Sequence, residues 1–428
     1  MTSNVYGGDE VNALVLDLGT CCCRAGYSGD DTPKAVFPTM VGVHSKAAAN
    51  GKNVDEAGAS RKLSVGYQAL SAKQLGMEVM SPFGPDDLYG DWELVDAVYN
   101  HALRDRLGVR PEEYALMLAE PTHNSRASRE RLVELVFETF QAPALFVAKS
   151  AMLTAFATAR QTALVVDAGY RATTAAAVQD GYVLRKSVTR TPLAGQLLNH
   201  AAQAVADAKY TPLRPRCAFK RQETKPGEFQ VVPQDMGGVA NSFRMYHIEQ
   251  VASDMKEGVC RTSETRLFEA EGANPVPTVV YELPDGQELY LGQERFRMAE
   301  LFFQPRVFIN HFPGLTLSPD VRSVPESVID TVSKCDVDLR KDMYSGAILA
   351  GGSSLIPGFK ERLEKELSEL SPPGARVKMV AAANQAERRF STWIGGSILS
   401  SLGSFQQLWM SKKDYAEHGA PLINRKCP

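Results

Sequence analysis

No stretch of this 428-residue chain is apolar for long enough to cross a bilayer. The opening Met1-Thr2-Ser3-Asn4 lacks the basic and apolar regions of a secretory leader, so no membrane partner is expected. Cysteine is sparse: seven residues, at 21, 22, 23, 217, 260, 335 and 427. The count is odd and contains no Cys-x-x-Cys. That speaks against a disulfide framework or a paired-cysteine metal site, and reduced thiols in a cytosolic or nuclear protein are expected. The run Cys21-Cys22-Cys23 should alternate faces in a strand and so cannot enclose a metal by itself. A net charge of only −3 provides no excess of cations for coating nucleic acid, a local patch aside. What is present, 44% hydrophobic and 23% charged residues, is ordinary for a globular protein. The length calls for two or more domains.

Within that composition one pattern is written twice. Ala13-Leu14-Val15-Leu16-Asp17-Leu18-Gly19 recurs as Ala163-Leu164-Val165-Val166-Asp167-Ala168-Gly169. Each copy is an apolar run ending in Asp-x-Gly, followed by a second strand-like run through Ala25-Gly26-Tyr27 or Ala175-Ala176-Ala177-Val178. This predicts two β-hairpins with N–H-rich turns, hence two related lobes with both turns facing a cleft. Paired Asp-bearing turns of this kind suit a nucleoside triphosphate and its divalent cation. A third apolar run, Gly346-Ala347-Ile348-Leu349-Ala350, enters the turn Gly351-Gly352-Ser353-Ser354. Either Asp alone has an ordinary role in capping its own turn; the combination of three turns carries the inference.

Elsewhere, Asp91 caps an expected helix with Trp92, Val95, Val98, Tyr99, Ala102 and Leu103 on one face and Gly108 beyond its end. A second helix is expected over about 126–140, capped by Asn124 or Ser125 and buried through Leu132, Leu135, Val136 and Phe140. Pro357 opens a third, bearing Phe359, Leu363, Leu367 and Leu370 and stopped by Pro372-Pro373-Gly374. A further helix is expected over 245–260. Residues 44–62 lack periodicity and are expected to be a mobile loop. Residues 205–245, with prolines 212, 215, 226 and 233, read as an inserted surface segment. Its cluster Arg214, Arg216, Lys220 and Arg221 is either a contact for DNA or acidic histone tails or a solvated loop.

The three turns, in this order, resemble those of the superfamily shared by actin, hexokinase and heat-shock-chaperone ATPases. The detail resembles the actin family: Tyr281-Glu282-Leu283-Pro284-Asp285-Gly286-Gln287, Glu294-Arg295-Phe296-Arg297, Val136-Phe137-Glu138-Thr139-Phe140, Trp393-Ile394-Gly395-Gly396-Ser397-Ile398-Leu399, and the C-terminus from Phe405-Gln406-Gln407 to Arg425-Lys426-Cys427. Val5-Tyr6-Gly7-Gly8-Asp9-Glu10-Val11 with Phe37-Pro38-Thr39 resembles its nuclear actin-related branch, shared by chromatin remodellers and a histone acetyltransferase complex. The resemblance implies an α/β, actin-like ATPase fold: two related lobes, four subdomains, around a nucleotide cleft. Lobe I would comprise 1–157 and 391–428, and lobe II 158–390.

By the same resemblance, ATP with Mg²⁺ or Ca²⁺ would sit among Asp17, Gly19, Thr20, Cys21, Arg24, Asp167, Gly169, Tyr170, Arg171, Lys256, Glu257, Gly351, Gly352, Ser353 and Arg389. No residue is expected to ligate the metal directly; Asp17 and Asp167 would act through water. Arg24 and Arg389 stand where actin has lysines, and a planar fork is not a neutral exchange for an ammonium beside phosphates. Three positions depart further. Ser150 replaces the actin Gln that holds the attacking water, Thr174 the His that helps to position it, and Tyr170 an acidic residue. Such groups are worth roughly 10²–10⁴ in rate, so a pseudo-ATPase with no catalytic residue is expected.

The family's apolar groove, at the filament's barbed end, maps to Phe156, Gly181, Tyr182, Leu399, Leu402, Ser404 and Leu408. Its expected occupant is the helicase-SANT-associated helix of a remodeller ATPase, or an acetyltransferase scaffold, with conventional actin alongside. Leu399, Leu402 and Leu408 are expected to form one exposed stripe. The implied role is a structural subunit in the nucleus, with histones or nucleosomal DNA reached through the complex. A polymerising, ATP-hydrolysing cytoskeletal actin is the alternative. A sugar- or metabolite-phosphorylating kinase is disfavoured by the absence of an Asp base on an inserted substrate pocket.

Overall fold

The computed structural model describes residues 13–45, 61–267 and 276–428. Five strands of one sheet are β1 (Ala13–Leu18), β2 (Cys22–Tyr27), β3 (Ala35–Pro38), β4 (Ala115–Glu120) and β5 (Ala144–Lys149). Five strands of the other are β6 (Ala163–Ala168), β7 (Thr173–Gln179), β8 (Thr189–Thr191), β9 (Ala347–Ala350) and β10 (Met379–Val380). In each, an antiparallel hairpin leads into two parallel strands: β3-β2-β1-β4-β5 is matched by β8-β7-β6-β9-β10. The two hairpins are therefore equivalent in topology as well as in sequence. Asp17 pairs in register with Arg24, and Asp167 with Thr174.

Burial follows the apolar runs. All six residues of β1 are buried, as are all four of β9, which is the pattern of strands covered on both faces. One large core draws on residues 13–153 and 393–427, another on 164–379. Where the lobes meet, the helix Gln385–Ser401 crosses the helix Ser150–Ala157 so closely that a Cβ on Gly395 would overlap the Leu153 carbonyl. A small shared core closes the far side of the cleft. Leu70, Met77 and Val79 pack there with Val239, Phe243 and Tyr246, and Gly76 N–H donates to Gly238 O at 2.9 Å.

Asp91 caps Trp92–Asn100 through the Glu93 and Leu94 amides, and Ser125 caps Arg126–Glu134 through Ser128 N–H. Both helices continue as π-helical turns, His101–Arg106 and Leu135–Thr139. The helix Phe359–Leu370 buries Phe359, Leu363 and Leu367, while Leu370 is exposed.

Two expectations change. The loop expected over 44–62 is partly sheet: Val41–Ser45 pairs with Arg61–Val65. Residues 46–60 lie outside the described residues, as does the signature at 5–11. The segment 205–245, expected as an inserted surface segment, is built partly of regular elements. Helix Gly195–Ala208 runs into it, Phe219–Lys225 and Glu228–Pro233 form a hairpin, and helix Asn241–Val259 begins before the expected 245. This hairpin is solvated on both faces, and its first strand, Phe219–Lys225, is polar after Phe219, so its apolar alternation is too weak to read.

Candidate nucleotide-binding site

Parallel strands point their carboxyl ends at the space between the lobes, where α/β proteins place their ligands. The ends of β1, β4, β6 and β9 deliver Leu18, Glu120, Asp167 and Ala350 to one region. A cavity of about 520 Å³ opens there. Its wall includes Asp17, Gly19, Thr20, Cys21 and Arg24 from the first turn, with Asp167, Gly169, Tyr170 and Thr174 from the second. The third turn adds Gly351, Gly352 and Ser353, and helices add Ser150, Lys256, Glu257 and Arg389.

The turns share a device. Gly19 N–H donates to Cys22 O and Gly169 N–H to Ala172 O, each at 3.1 Å. Ser353 Oγ donates to Gly169 O at 2.7 Å, tying the third turn to the second. Gly351 has φ +89, and a Cβ there would overlap the Ala168 carbonyl and the Asp167 carboxylate; at Gly352 a Cβ would meet nothing within 4 Å. Glycine at 351 thus lets two turns approach, while glycine at 352 leaves the cavity open.

The charges are unequally compensated. Arg24 Nη1 donates to Asp17 Oδ2 at 2.6 Å, whereas Arg24 Nε is buried without a hydrogen-bond partner. Burial, followed by the repulsion of Asp17, raises the Asp167 carboxyl to about 6. Burial lowers the Lys256 ammonium, which donates to Gly195 O at 3.3 Å. At the outer end Arg389 Nη2 meets Glu257 Oε2 at 3.4 Å. An orphaned guanidinium N–H and a carboxylate held against its own ionisation are what a phosphate and a divalent cation, respectively, would satisfy.

The family model that matches this chain is actin, over residues 8–428. The chain belongs to the actin family. It is 48% identical over 446 positions to Actin-related protein 4 of Oryza sativa subsp. indica, covering 99% of this chain and 100% of the relative. Identity to Actin-related protein 4 of Arabidopsis thaliana is 45% over 444 positions, with the same coverage. To Actin-related protein 4 of Yarrowia lipolytica it is 33% over 427 positions, covering 99% and 97%.

At one corner of the cleft the polar side chains bond to protein neighbours. Ser150 Oγ lies 2.8 Å from Thr122 Oγ1, which also accepts from Ala151 N–H at 3.1 Å. Tyr170 OH donates to Glu249 Oε1 at 2.5 Å; burial and that carboxylate both raise the phenol. Arg171 is not on the cavity wall. Its Nε pairs with Asp87 Oδ1 at 3.0 Å, and Arg190 pairs with the same carboxylate. Asp87 comes from the lobe I segment before Asp91, is buried, and has φ 60. It is a cross-cleft clamp that the sequence reading missed. Thr122 and His123 were missed too; they follow β4, and its carboxyl end facing the cleft was the available signal.

Two other readings are corrected. Cys21 and Cys22 do not alternate: Cys21 still belongs to the turn, both line the cavity, and their sulfurs lie 3.6 Å apart, while Cys23 is buried. Among the described residues no cluster of three His, Cys, Asp or Glu could hold a metal. In the groove, Leu399 is buried in the lobe I core because the helix turns it inward beside Trp393 and Phe405. The exposed residues are Ile398, Leu402, Leu408 and Tyr182, at 40–56%, with Ser404 also exposed. Phe156 lies partly buried, 3.7 Å from where a Cβ on Gly181 would sit. Finally, the basic cluster is largely neutralised. Arg214 faces Asp285 at 3.6 Å, Arg216 faces Asp254 at 3.6 Å, and Arg221 meets Glu282 at 3.1 Å.

Proposed function

We propose that this chain is an ATP-holding, largely non-hydrolysing actin-related subunit with a structural role in nuclear chromatin-remodelling and histone-acetyltransferase complexes. The observation that carries the reading is the contrast within one cleft. All three phosphate-side turns are present, yet of the positions that would orient water one holds Thr174, and the other two hold the Ser150 hydroxyl and the Tyr170 phenol, each bonded to a neighbour. The donor set fits a nucleotide: Arg24 and the turns of Thr20 and Ser353 would face phosphates, Lys256, Glu257 and Arg389 the nucleoside, and Asp17 with Asp167 a Mg²⁺ or Ca²⁺ through water. When bound, the nucleotide would supply charge that bridges the lobes. Saturation at 100–1,000 times Kd stabilises by about 3–4 kcal/mol.

The remaining site is the groove of Leu402, Leu408, Ile398 and Tyr182, beside Phe156. An amphipathic helix would lay its apolar face there, and the partners that fit the family resemblance are a helicase-SANT-associated helix with conventional actin. The pairing of Arg214, Arg216 and Arg221 with Asp285, Asp254 and Glu282 favours a solvated surface over a nucleic-acid contact, so any histone or DNA contact would come through the complex. The test is chromatography of the nucleotide extracted from purified complex, together with single-turnover phosphate release. ATP recovered intact, with negligible phosphate, supports the reading. ADP in the cleft with steady turnover would refute it and favour the polymerising alternative.

A further inference from the structure

Seven cysteines sit in very different surroundings. Cys23, Cys260, Cys335 and Cys427 are buried, Cys217 is half-buried, Cys22 is half-buried and Cys21 is exposed. Cys21 and Cys22 are neighbours in space, with sulfurs 3.6 Å apart on the cleft wall. Arg24 and Arg389 line the same cleft. We infer that Cys21 and Cys22 form an oxidant-sensitive thiol site, at which a hydroperoxide converts Cys22 to a sulfenic acid when nucleotide is absent.

The electrostatics agree with the geometry. The hydrogen bond shared with the Cys21 sulfur, against opposing burial and with help from Arg24 and Arg389, pulls the Cys22 thiol down to about 7. Burial pushes Cys260 and Cys427 up to about 12, and it raises Cys217 as well. Thiolate, not thiol, is the nucleophile. The Cys22 thiolate attacks one oxygen of hydrogen peroxide; the S–O bond forms and the O–O bond breaks. Hydroxide leaves and is protonated to water, so sulfur is oxidised by two electrons and peroxide reduced by two. Closure to a Cys21–Cys22 disulfide is disfavoured. Consecutive Cα atoms are about 3.8 Å apart, below the usual 4.4–6.8 Å of a disulfide. The sulfenic acid is therefore the expected product. Its oxygen would occupy the wall on which the phosphate-side turn sits, so modification and nucleotide would exclude each other. That exclusion rests on the nucleotide reading; the reactivity of Cys22 does not.

The experiment uses the full chain, stripped with chelator or reloaded with Mg–ATP, exposed to hydrogen peroxide, trapped with dimedone and mapped by peptide mass spectrometry. Without nucleotide, Cys22 should label at least about tenfold faster than Cys217, following its larger thiolate fraction. Mg–ATP should slow Cys22 about tenfold while leaving Cys217 unchanged, and Cys21→Ala should slow Cys22 in a protein with an unchanged melt. Equal rates at Cys22 and Cys217 would overturn the proposal. So would full Cys22 labelling in a sample that equilibrium dialysis shows to be ATP-bound. Failure to bind ATP in the dialysis refutes the nucleotide reading instead, and the comparison with Cys217 then decides the thiol site.

Discussion

Replacing Asp167 with Asn should stabilise the nucleotide-free protein. The carboxyl is raised from its ordinary 3.8 to about 6 by burial and by Asp17. The folded state thus binds its proton more tightly than the unfolded chain does. Its cost to stability is absent below about pH 4, grows between pH 4 and 6, and is complete above that. A shift of this size corresponds to at most about 3 kcal/mol at neutral pH. Water entering along the cleft-facing rim lowers the realised gain to about 1–3 kcal/mol. For 428 residues an unfolding entropy of about 0.9 kcal/mol/K makes that about 1–3 °C in Tm. The assay is paired melts of wild type and Asp167→Asn at pH 7.5 and pH 4.5, each with and without Mg–ATP. The variant should melt higher at pH 7.5 without nucleotide and nearly level at pH 4.5. It should also gain less from Mg–ATP, having lost the charge that a cation would meet. A variant that melts lower than wild type at pH 7.5, or gains equally from Mg–ATP, would sink the argument.

Phosphate release from ATP should be far slower than in conventional actin, and Thr174→His with Ser150→Gln should raise it, because Ser150 is otherwise held by Thr122; single-turnover assays measure both. Leu402→Asp should abolish co-purification with the helix-bearing partner while leaving the ATP content unchanged, since a carboxylate buried in an apolar contact costs several kcal/mol; quantitative pull-down with nucleotide analysis checks it. Asp87→Ala should release Arg171 and Arg190 together and speed nucleotide exchange by about tenfold or more, consistent with about 1.4 kcal/mol or more lost from the closed state; a fluorescent ATP analogue followed by stopped flow would reveal no change if the clamp is inert. Gly351→Ala should destabilise by several kcal/mol through its positive φ and the overlap with Ala168 and Asp167, read as a lowered melting temperature.

The hairpins and helix caps were legible because their causes are local. An apolar run ending in Asp-x-Gly, or a Ser or Asp before an amphipathic run, declares itself within a few residues. What was hidden depended on tertiary placement. Asp87 reaches Arg171 and Arg190 only once the lobes meet, and nothing near residue 87 marks it. Leu399 and Leu402 are both compatible with an apolar stripe; the helix ends at Ser401, so Leu399 stays on the inward face and Leu402 leaves it. The strand begins one residue after Cys21, and a single-residue shift decides which thiols face the cleft. The hairpin 219–233 escaped because both of its faces are solvated.

Lobe I is sewn from both ends of the chain, and that has a price in biosynthesis. Trp393 Nε1 donates to Val15 O at 2.9 Å across a separation of 378 residues, and Arg129 Nη2 reaches Cys427 O at 2.5 Å. The first sheet to be translated therefore waits for the last segments, those carrying Phe405, Trp409, Met410 and Ile423, before its core is sealed. Lobe II, continuous from 164 to 379 in its core, can fold meanwhile. Contacts this distant make folding slow and keep apolar surface uncovered in the interval. A nascent chain stalled before residue 393 is thus a finished lobe tethered to an unfinished one, and it presents Leu14, Val15 and Leu16 to whatever holdase meets it first.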